Sequence, residues 1–299
     1  MYLSLNGVLL LNKPRGMTSH DCVLRLRRLL QTKKIGHTGT LDPEVDGVLP
    51  ICVGSATKLV PFLTADVKEY VGEVTLGFST TTEDASGEEV ERRAIAERVT
   101  VEQVKKVLQG MLGTQVQMPP MYSAVKVNGK KLYEYARAGL EAERPEREVT
   151  IYELDLLDDV HQHDDLVHFC FRICGSKGIF IRTVAVTIGE RLGYPAHMSD
   201  LTRIRSGNFR LEECVTLEQV EAGDFKLLTV SEALQDFPCV RVESWVEKLV
   251  RNGVKLREEQ IKPEMKERSF LICNEEDVPL SIHEWDQEKQ LYVAVRGLW

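Results

Sequence analysis

The chain has 299 residues, 43% of them hydrophobic, and a net charge of −8. That is enough apolar material for one large domain or two ordinary ones, and it excludes disordered and collagen-like chains. No apolar run is long enough for a membrane-spanning helix, and seven irregularly spaced Cys point to reduced thiols in a cytoplasmic protein rather than a disulfide framework.

The start, MYLSLNGVLLLNKPRG, lacks a basic leader and a small-residue cleavage site, so it reads as a strand and not a signal peptide. Thr18 and Ser19 then cap a helix in which Cys22, Val23, Leu26, Leu29 and Leu30 recur at helical spacing, with Arg25, Arg27 and Arg28 largely on the other face. Tyr70, Gly72, Val74, Leu76 and Phe78 alternate as a half-buried strand, and the polar STTTEDASGEEVERR reads as an exposed loop. Thr100 and Gln103 form a capping box for a helix buried through Val104, Val107, Leu108 and Met111, with Gly113 as its stop. EVTIYELDLLDD and LVHFCFRIC are strands, with HQHDD a hairpin connection between them. GIFIRTVAVTIGERLG begins as a strand and becomes a helix, and DLTRIRSGNF is extended.

From about residue 239 the pattern changes. Ser244 and Glu247 cap a short helix that Gly253 stops, and FLICN and YVAVR read as short strands. No Pro/Gly-rich linker precedes them, so an appended module docked on the main body is expected. The charge is also uneven. Residues 1–60 carry a net +4 and residues 166–211 a net +5 within an acidic chain. If they meet in space, Arg25, Arg28, Arg203 and Arg205 could form a local phosphate-binding face.

The segment KIGHTGTLDPEVDGVLP, Lys34 to Pro50, concentrates turn formers around Asp42. Three Gly permit unusual backbone and Pro43 fixes the residue after Asp42, which suits a rigidly presented carboxylate for nucleophilic or acid–base chemistry. An ordinary Asx-turn would use the same residues. The phosphorylated-aspartate signature D-K-T-G-T fails, because Gly36 stands at the nucleophile's place. Asp42 with Glu44 or Asp46 makes a poor glycosidase pair, since neighbours on one turn cannot flank a substrate. No G-K-[ST] phosphate loop is present. His161, His163 and His168 lack a matching Cys pair for a metal, and Cys170 with Cys174 reads as core. Arg182 follows a strongly apolar stretch and needs an anion, either a structural acid or a catalytic one.

The stretches NKPRGMTS, GHTGTLDP, KEYVGEVTLGFSTTTED, GIFIRT and AHMSDLTRIRSGNF resemble the TruB family of tRNA pseudouridine synthases, in a match that runs in order from Asn6 to about Phe209. The resemblance implies an α+β pseudouridine synthase fold, with a large mixed, mainly antiparallel sheet flanked by helices. It divides the chain into a catalytic domain, residues 1–238, and a small β-rich PUA-like RNA-binding tail, residues 239–299. It implies isomerisation of uridine to pseudouridine at position 55 in the T-loop of tRNA, with no cofactor, no metal, no membrane and no obligate protein partner for a monomeric enzyme. It assigns Asp42 as the catalytic aspartate, Arg182 as the arginine pairing with it and Tyr70 as the active-site tyrosine. Leu201 would line the uracil pocket, His37 would fill the gap left by the flipped nucleotide, and Lys13 with Pro14 would pack beneath the active-site loop. Asp46 stands where the family often has a small residue, and Asp200 adds acid beside Leu201. Phe180 keeps an aromatic ring at the substrate site but lacks the hydroxyl many members carry. A non-catalytic tRNA-folding relative and a synthase acting on another RNA are the rival readings.

Overall fold

The computed structural model describes residues 5–64, 66–266 and 269–298. Strand β1 (Gly7–Lys13) is buried on both faces, as its unbroken apolar run requires. Helix α1 (Ser19–Leu29) starts at Thr18, whose hydroxyl accepts from the Asp21 amide while the Asp21 carboxylate accepts from the Thr18 amide. Strands β2 (Ile35–His37) and β3 (Asp46–Val53) bracket the Asp42 loop. A short helix α2 (Val60–Leu63) leads into β4 (Val67–Leu76), which has the expected alternation through Tyr70, Gly72, Val74 and Leu76.

The polar stretch that follows is not a featureless loop. Strands β5 (Phe78–Thr80) and β6 (Glu89–Arg92) pair as a hairpin, and an isolated bridge ties Asp84 to Met198. Helix α3 (Val101–Gln109) carries the Thr100–Gln103 capping box but ends at Gly110, whereas Gly113 opens the edge strand β7 (Gly113–Gln117). A small hairpin, β8 (Lys126–Val127) and β9 (Lys130–Lys131), precedes α4 (Leu132–Arg137). Strand β10 (Arg147–Leu156) follows, and β11 (His161–His163) forms the expected hairpin with β12 (Leu166–Ser176). Strand β12 ends at Ser176, so GIFIRT is not its continuation; a turn leads directly into α5 (Ile181–Leu192), which Gly193 closes in the left-handed region. Strand β13 (Ala196–Ser206) is long and extended, as expected, and β14 (Phe209–Arg210) folds back on it.

The main sheet runs β1-β3-β13-β4-β12-β10-β7, with β2, β11 and β14 attached to β3, β12 and β13. Its pairs are antiparallel except β3 with β13, so the sheet is mixed and mainly antiparallel. The parallel joint, Thr202 opposite Asp46 and Arg203 opposite Gly47, brings the two basic segments together. It demands a glycine: Gly47 has φ +109°, and a Cβ there would lie 2.2 Å from the Arg203 carbonyl oxygen. Helices α3 and α5 seal a core against β4, β10, β12 and β13 through Val74, Phe169, Phe171, Leu108, Val184 and Ile188. Helix α1 seals one face of β1 and β3 through Leu9, Leu11, Leu26, Leu49 and Ile51, joined by α6 (Leu217–Glu221).

After α7 (Val230–Ala233) the chain enters a second sheet. It consists of β15 (Cys239–Arg241), β16 (Phe270–Cys273), β17 (Pro279–Asp286) and β18 (Leu291–Gly297), with α8 (Ser244–Arg251) beside it. The capping box expected at Ser244 does not form: Glu243 is the N-cap residue and the Ser244 hydroxyl donates to Glu275 instead. Leu271, Cys273 and Ile282 of this sheet share a core with Val8, Leu10, Val48 and Cys52, so the module is docked.

Candidate active site

Three separated groups fix the loop that carries Asp42. The buried Ser19 hydroxyl accepts from the Leu41 amide at 2.9 Å and donates to the Leu41 carbonyl at 3.2 Å. The Lys13 ammonium, fully buried at the end of β1, donates to the carbonyls of Pro14, Met17 and Pro43. The Arg203 guanidinium, also fully buried, donates to the carbonyls of Val48, Gly39 and Thr40. Loops with polar backbone facing inward need such donors. Here they make the segment before and after Asp42 a fixed platform.

The Asp42 carboxylate leaves its own turn and meets Arg182, with Oδ2 2.9 Å from Nη2. Arg182 lies in the first turn of α5 and is almost fully buried. A cation at the positive end of a helix is poorly placed by itself, and the surroundings answer that. Its Nη1 donates to the Thr82 carbonyl, its Nη2 to the Tyr122 carbonyl, and the Asp84 carboxylate stands 3.8 Å away. Thus Arg182 is both a structural cation held by backbone and the partner of Asp42. The pairing alone suggests an Asp42 carboxyl below the usual range, but the net direction is upward. Burial in the cleft raises it, Arg182 lowers it, and the Asp84 carboxylate raises it again.

Asp42 opens onto a cavity of about 620 Å³, within the size range of small-molecule sites. Tyr70, Leu201, Arg182 and Phe180 line it together with Ser123 and Arg147. Tyr70 lies on the face of β4 that also carries Gly72, and the missing side chain at Gly72 leaves room for Leu201 and Phe171. Phe180 is held by its backbone, which exchanges two hydrogen bonds with the Gln117 side chain. The Arg147 guanidinium sits 5.3 Å over the Phe180 ring, an interaction that uses the ring face and not a hydroxyl. The Ser123 hydroxyl is buried with no protein partner.

The structure therefore gathers Asp42, Tyr70, Arg182, Leu201 and Phe180 around one cavity and puts Lys13 under the loop. His37 is on β2, outside that lining; its Nδ1 is buried without a partner, and burial followed by the charge of Arg203 lowers its pKa. Sequence reading missed Ser19, Asp84, Ser123 and Arg147 as contributors. Ser19 and Asp84 end two of the stretches that carry the family resemblance, but only folding sets Ser19 of α1 against Leu41 and brings Asp84, between β5 and β6, near Arg182; Ser123 and Arg147 lie outside those stretches.

Two expectations are corrected. Asp46 and Asp200 do not place free negative charge at the site, because Arg15 bridges both and Thr202 donates to Asp46. Arg203 cannot belong to an RNA-facing basic patch, because it is fully buried and committed to three carbonyls. Arg25 is paired with Glu221, and Arg205 faces Glu69. The basic segments do meet, but much of their charge is spent on internal partners; Arg28 remains exposed.

Residues 27–181 match the N-terminal domain of the TruB family of pseudouridylate synthases, and residues 182–236 match the C-terminal domain of tRNA pseudouridylate synthase B. The chain belongs to the TruB family of pseudouridine synthases. It is 56% identical over 260 residues to tRNA pseudouridine synthase B of Geobacillus thermodenitrificans, covering 85% of this chain and 86% of that one. It is 54% identical over 262 residues to the protein of the same name from Bacillus cytotoxicus, covering 85% of each. Among solved structures, Cbf5 in a Cbf5–Nop10–Gar1 complex matches with a TM-score of 0.72 and 26% identity, over 97% of this chain and 83% of that one. No helix among the described residues is long and apolar enough to cross a membrane.

Proposed function

We propose that this chain converts uridine-55 in the T-loop of tRNA to pseudouridine, with Asp42 as the reacting carboxylate. The observation that carries the proposal is the Asp42–Arg182 pair opening onto a cavity lined by Tyr70 and Leu201. In one route an Asp42 oxygen bonds C1′ as the C1′–N1 bond breaks and uracil leaves with the electron pair. In the other, Asp42 takes the C2′ proton, and those electrons form a C1′–C2′ double bond as uracil leaves. Uracil then turns, C5 bonds C1′, the Asp42 ester or the glycal is undone, and the C5 proton is lost while N1 gains one. Both routes need Asp42 ionised, and Arg182 favours that form while holding the carboxylate in place.

The target base has to leave its stack, at a cost of a few kcal/mol. The Tyr70 face would take the flipped base, a stacking worth about 1–3 kcal/mol. Leu201 and Phe180 would enclose its edge. The His37 imidazole, kept neutral by its surroundings, would fill the vacated space in the loop. The tail from Cys239 onward would act as a PUA-like RNA-binding domain, and residues 1–238 as the catalytic unit. The much higher identity to the bacterial synthases than to Cbf5 favours a stand-alone monomer acting on tRNA in the cytoplasm.

The test uses three RNAs in EDTA: a tRNA T stem-loop, the same RNA with its target uridine replaced by cytidine, and an unrelated stem-loop. Carbodiimide-dependent primer-extension stops map pseudouridine. A stop confined to the target of the first RNA supports the proposal. No stop there, or equal stops in the unrelated RNA, contradicts it.

A further inference from the structure

Two thiols meet where the chain enters its tail, at residues that take no part in the cavity. Cys239 is exposed at the start of β15, and Cys273, 3% exposed, ends β16. The two strands are parallel neighbours, with Cys239 opposite Leu271 and Arg241 opposite Cys273, which sets both Cys on one face. Their Sγ atoms lie 2.7 Å apart, close to the about 2.05 Å of a formed bond. Arg241, opposite Cys273 across the strand pair, is anchored by Asp277, whose Oδ2 accepts from Nη2 at 2.7 Å. Burial, then the Cys239 thiol and the Asp277 carboxylate, raise the Cys273 thiol above its usual range against a smaller lowering by Arg241, so the exposed Cys239 is the sulfur placed to react first. Cys22, Cys52, Cys170, Cys174 and Cys214 show no such thiol contact.

We infer that Cys239 and Cys273 form a reversible disulfide on exposure to a low-molecular-weight disulfide. The exposed Cys239 thiolate attacks one sulfur of the reagent; the reagent's S–S bond breaks and one thiol leaves. The Cys273 sulfur, giving up its proton to solvent, then attacks the Cys239 sulfur of the mixed disulfide and releases the second thiol. The protein loses two electrons and two protons, and the reagent gains both. The bond closes a loop spanning 34 positions and staples β15, the edge strand by which the chain enters the tail, to β16. Because Cys273 also packs in the core shared with β1 and β3, the staple stiffens the docked tail and leaves the Asp42 cavity alone. Transient, responsive disulfides of this kind are those that occur in reducing compartments.

The full-length protein is incubated with oxidised glutathione, alkylated, digested without reductant and analysed by mass spectrometry. A Cys239–Cys273 linked peptide is expected, reversed by dithiothreitol, with the melting temperature of the oxidised protein raised by several degrees. Cys239→Ser, at an exposed position, should fold normally, form no link and show no redox-dependent shift in melting. All thiols remaining alkylated in the wild type, or a glutathione adduct stopping at Cys239 without the link, overturns the inference.

Discussion

The Ser19 hydroxyl holds Leu41 from both sides, accepting from its amide at 2.9 Å and donating to its carbonyl at 3.2 Å. The first residue of α1 thus fixes the backbone immediately before Asp42. Ser19→Ala removes both contacts at a buried position and should cost about 1–3 kcal/mol of stability. A shift of the Asp42 carboxylate of under an ångström should lower kcat by about tenfold or more, with KM little changed. Denaturant unfolding and single-turnover rates measure the two effects. A variant with full kcat would mean that the loop does not depend on this clamp.

Arg203 and Arg28 separate two kinds of cation. Arg203→Met leaves three loop carbonyls without their donor and should destabilise the fold by about 3 kcal/mol. Where folded, it should leave the salt dependence of RNA binding as it is in the wild type. Arg28→Ala should instead weaken binding and reduce the magnitude of the salt slope by up to about one. Binding isotherms at several salt concentrations distinguish them, and a reduced slope for Arg203→Met would return it to the RNA-facing surface.

Gly47→Ala tests the parallel joint between β3 and β13. The new Cβ would collide with Arg203 backbone, at a φ that disfavours any side chain. A loss of about 3 kcal/mol is expected, near the upper end for single substitutions. Thermal unfolding measures it; a wild-type melting temperature would show that the joint can open without cost.

The pH dependence follows from Asp42. Its folded pKa is raised, first by burial, so the acid limb of kcat/KM should lie above the ordinary aspartate value of about 3.9. For stability the sign is negative: the folded form holds its proton more tightly than the unfolded form, so ionisation opposes folding. The contribution is absent below the unfolded pKa. It turns against the wild type as pH rises through the folded value. Relative to Asp42→Asn, the wild type should therefore lose melting temperature across that window. A difference that stays flat, or grows in favour of the wild type, would show that Arg182 outweighs burial.

The sequence made local features legible where one element suffices. The alternation of β4 marked Tyr70, and the cap at Thr18 and the capping box at Thr100 began their helices as expected. The apolar run at Val8–Leu11 marked a strand, which the fold covers on both faces. The Asp42 loop was visible from its Gly and Pro content, but its use was not: an Asx-turn and a presented carboxylate need the same residues. What decides between them is Arg182, 140 positions away in the chain and brought near only by folding. Arg203 misled for a related reason. Charge counting assigns every Arg to solvent, whereas this one is drawn inward by the unpaired carbonyls of a glycine-rich loop. Asp84 sits in a stretch that reads as an exposed loop and Ser123 in one that carries no signal, and only the folding of the β5–β6 hairpin and the Tyr122 segment toward α5 gives them a place at the site.

We propose that Asp42 performs the glycosidic exchange on a uridine held in this cavity. Its most direct test is tritium release from a T stem-loop carrying [5-³H]uridine, comparing wild type with Asp42→Asn, both first shown to be folded and to bind the RNA. Release by the wild type and none above background by Asp42→Asn is the predicted result. Release by Asp42→Asn at a rate near that of the wild type would contradict it, because the carboxylate would then be dispensable.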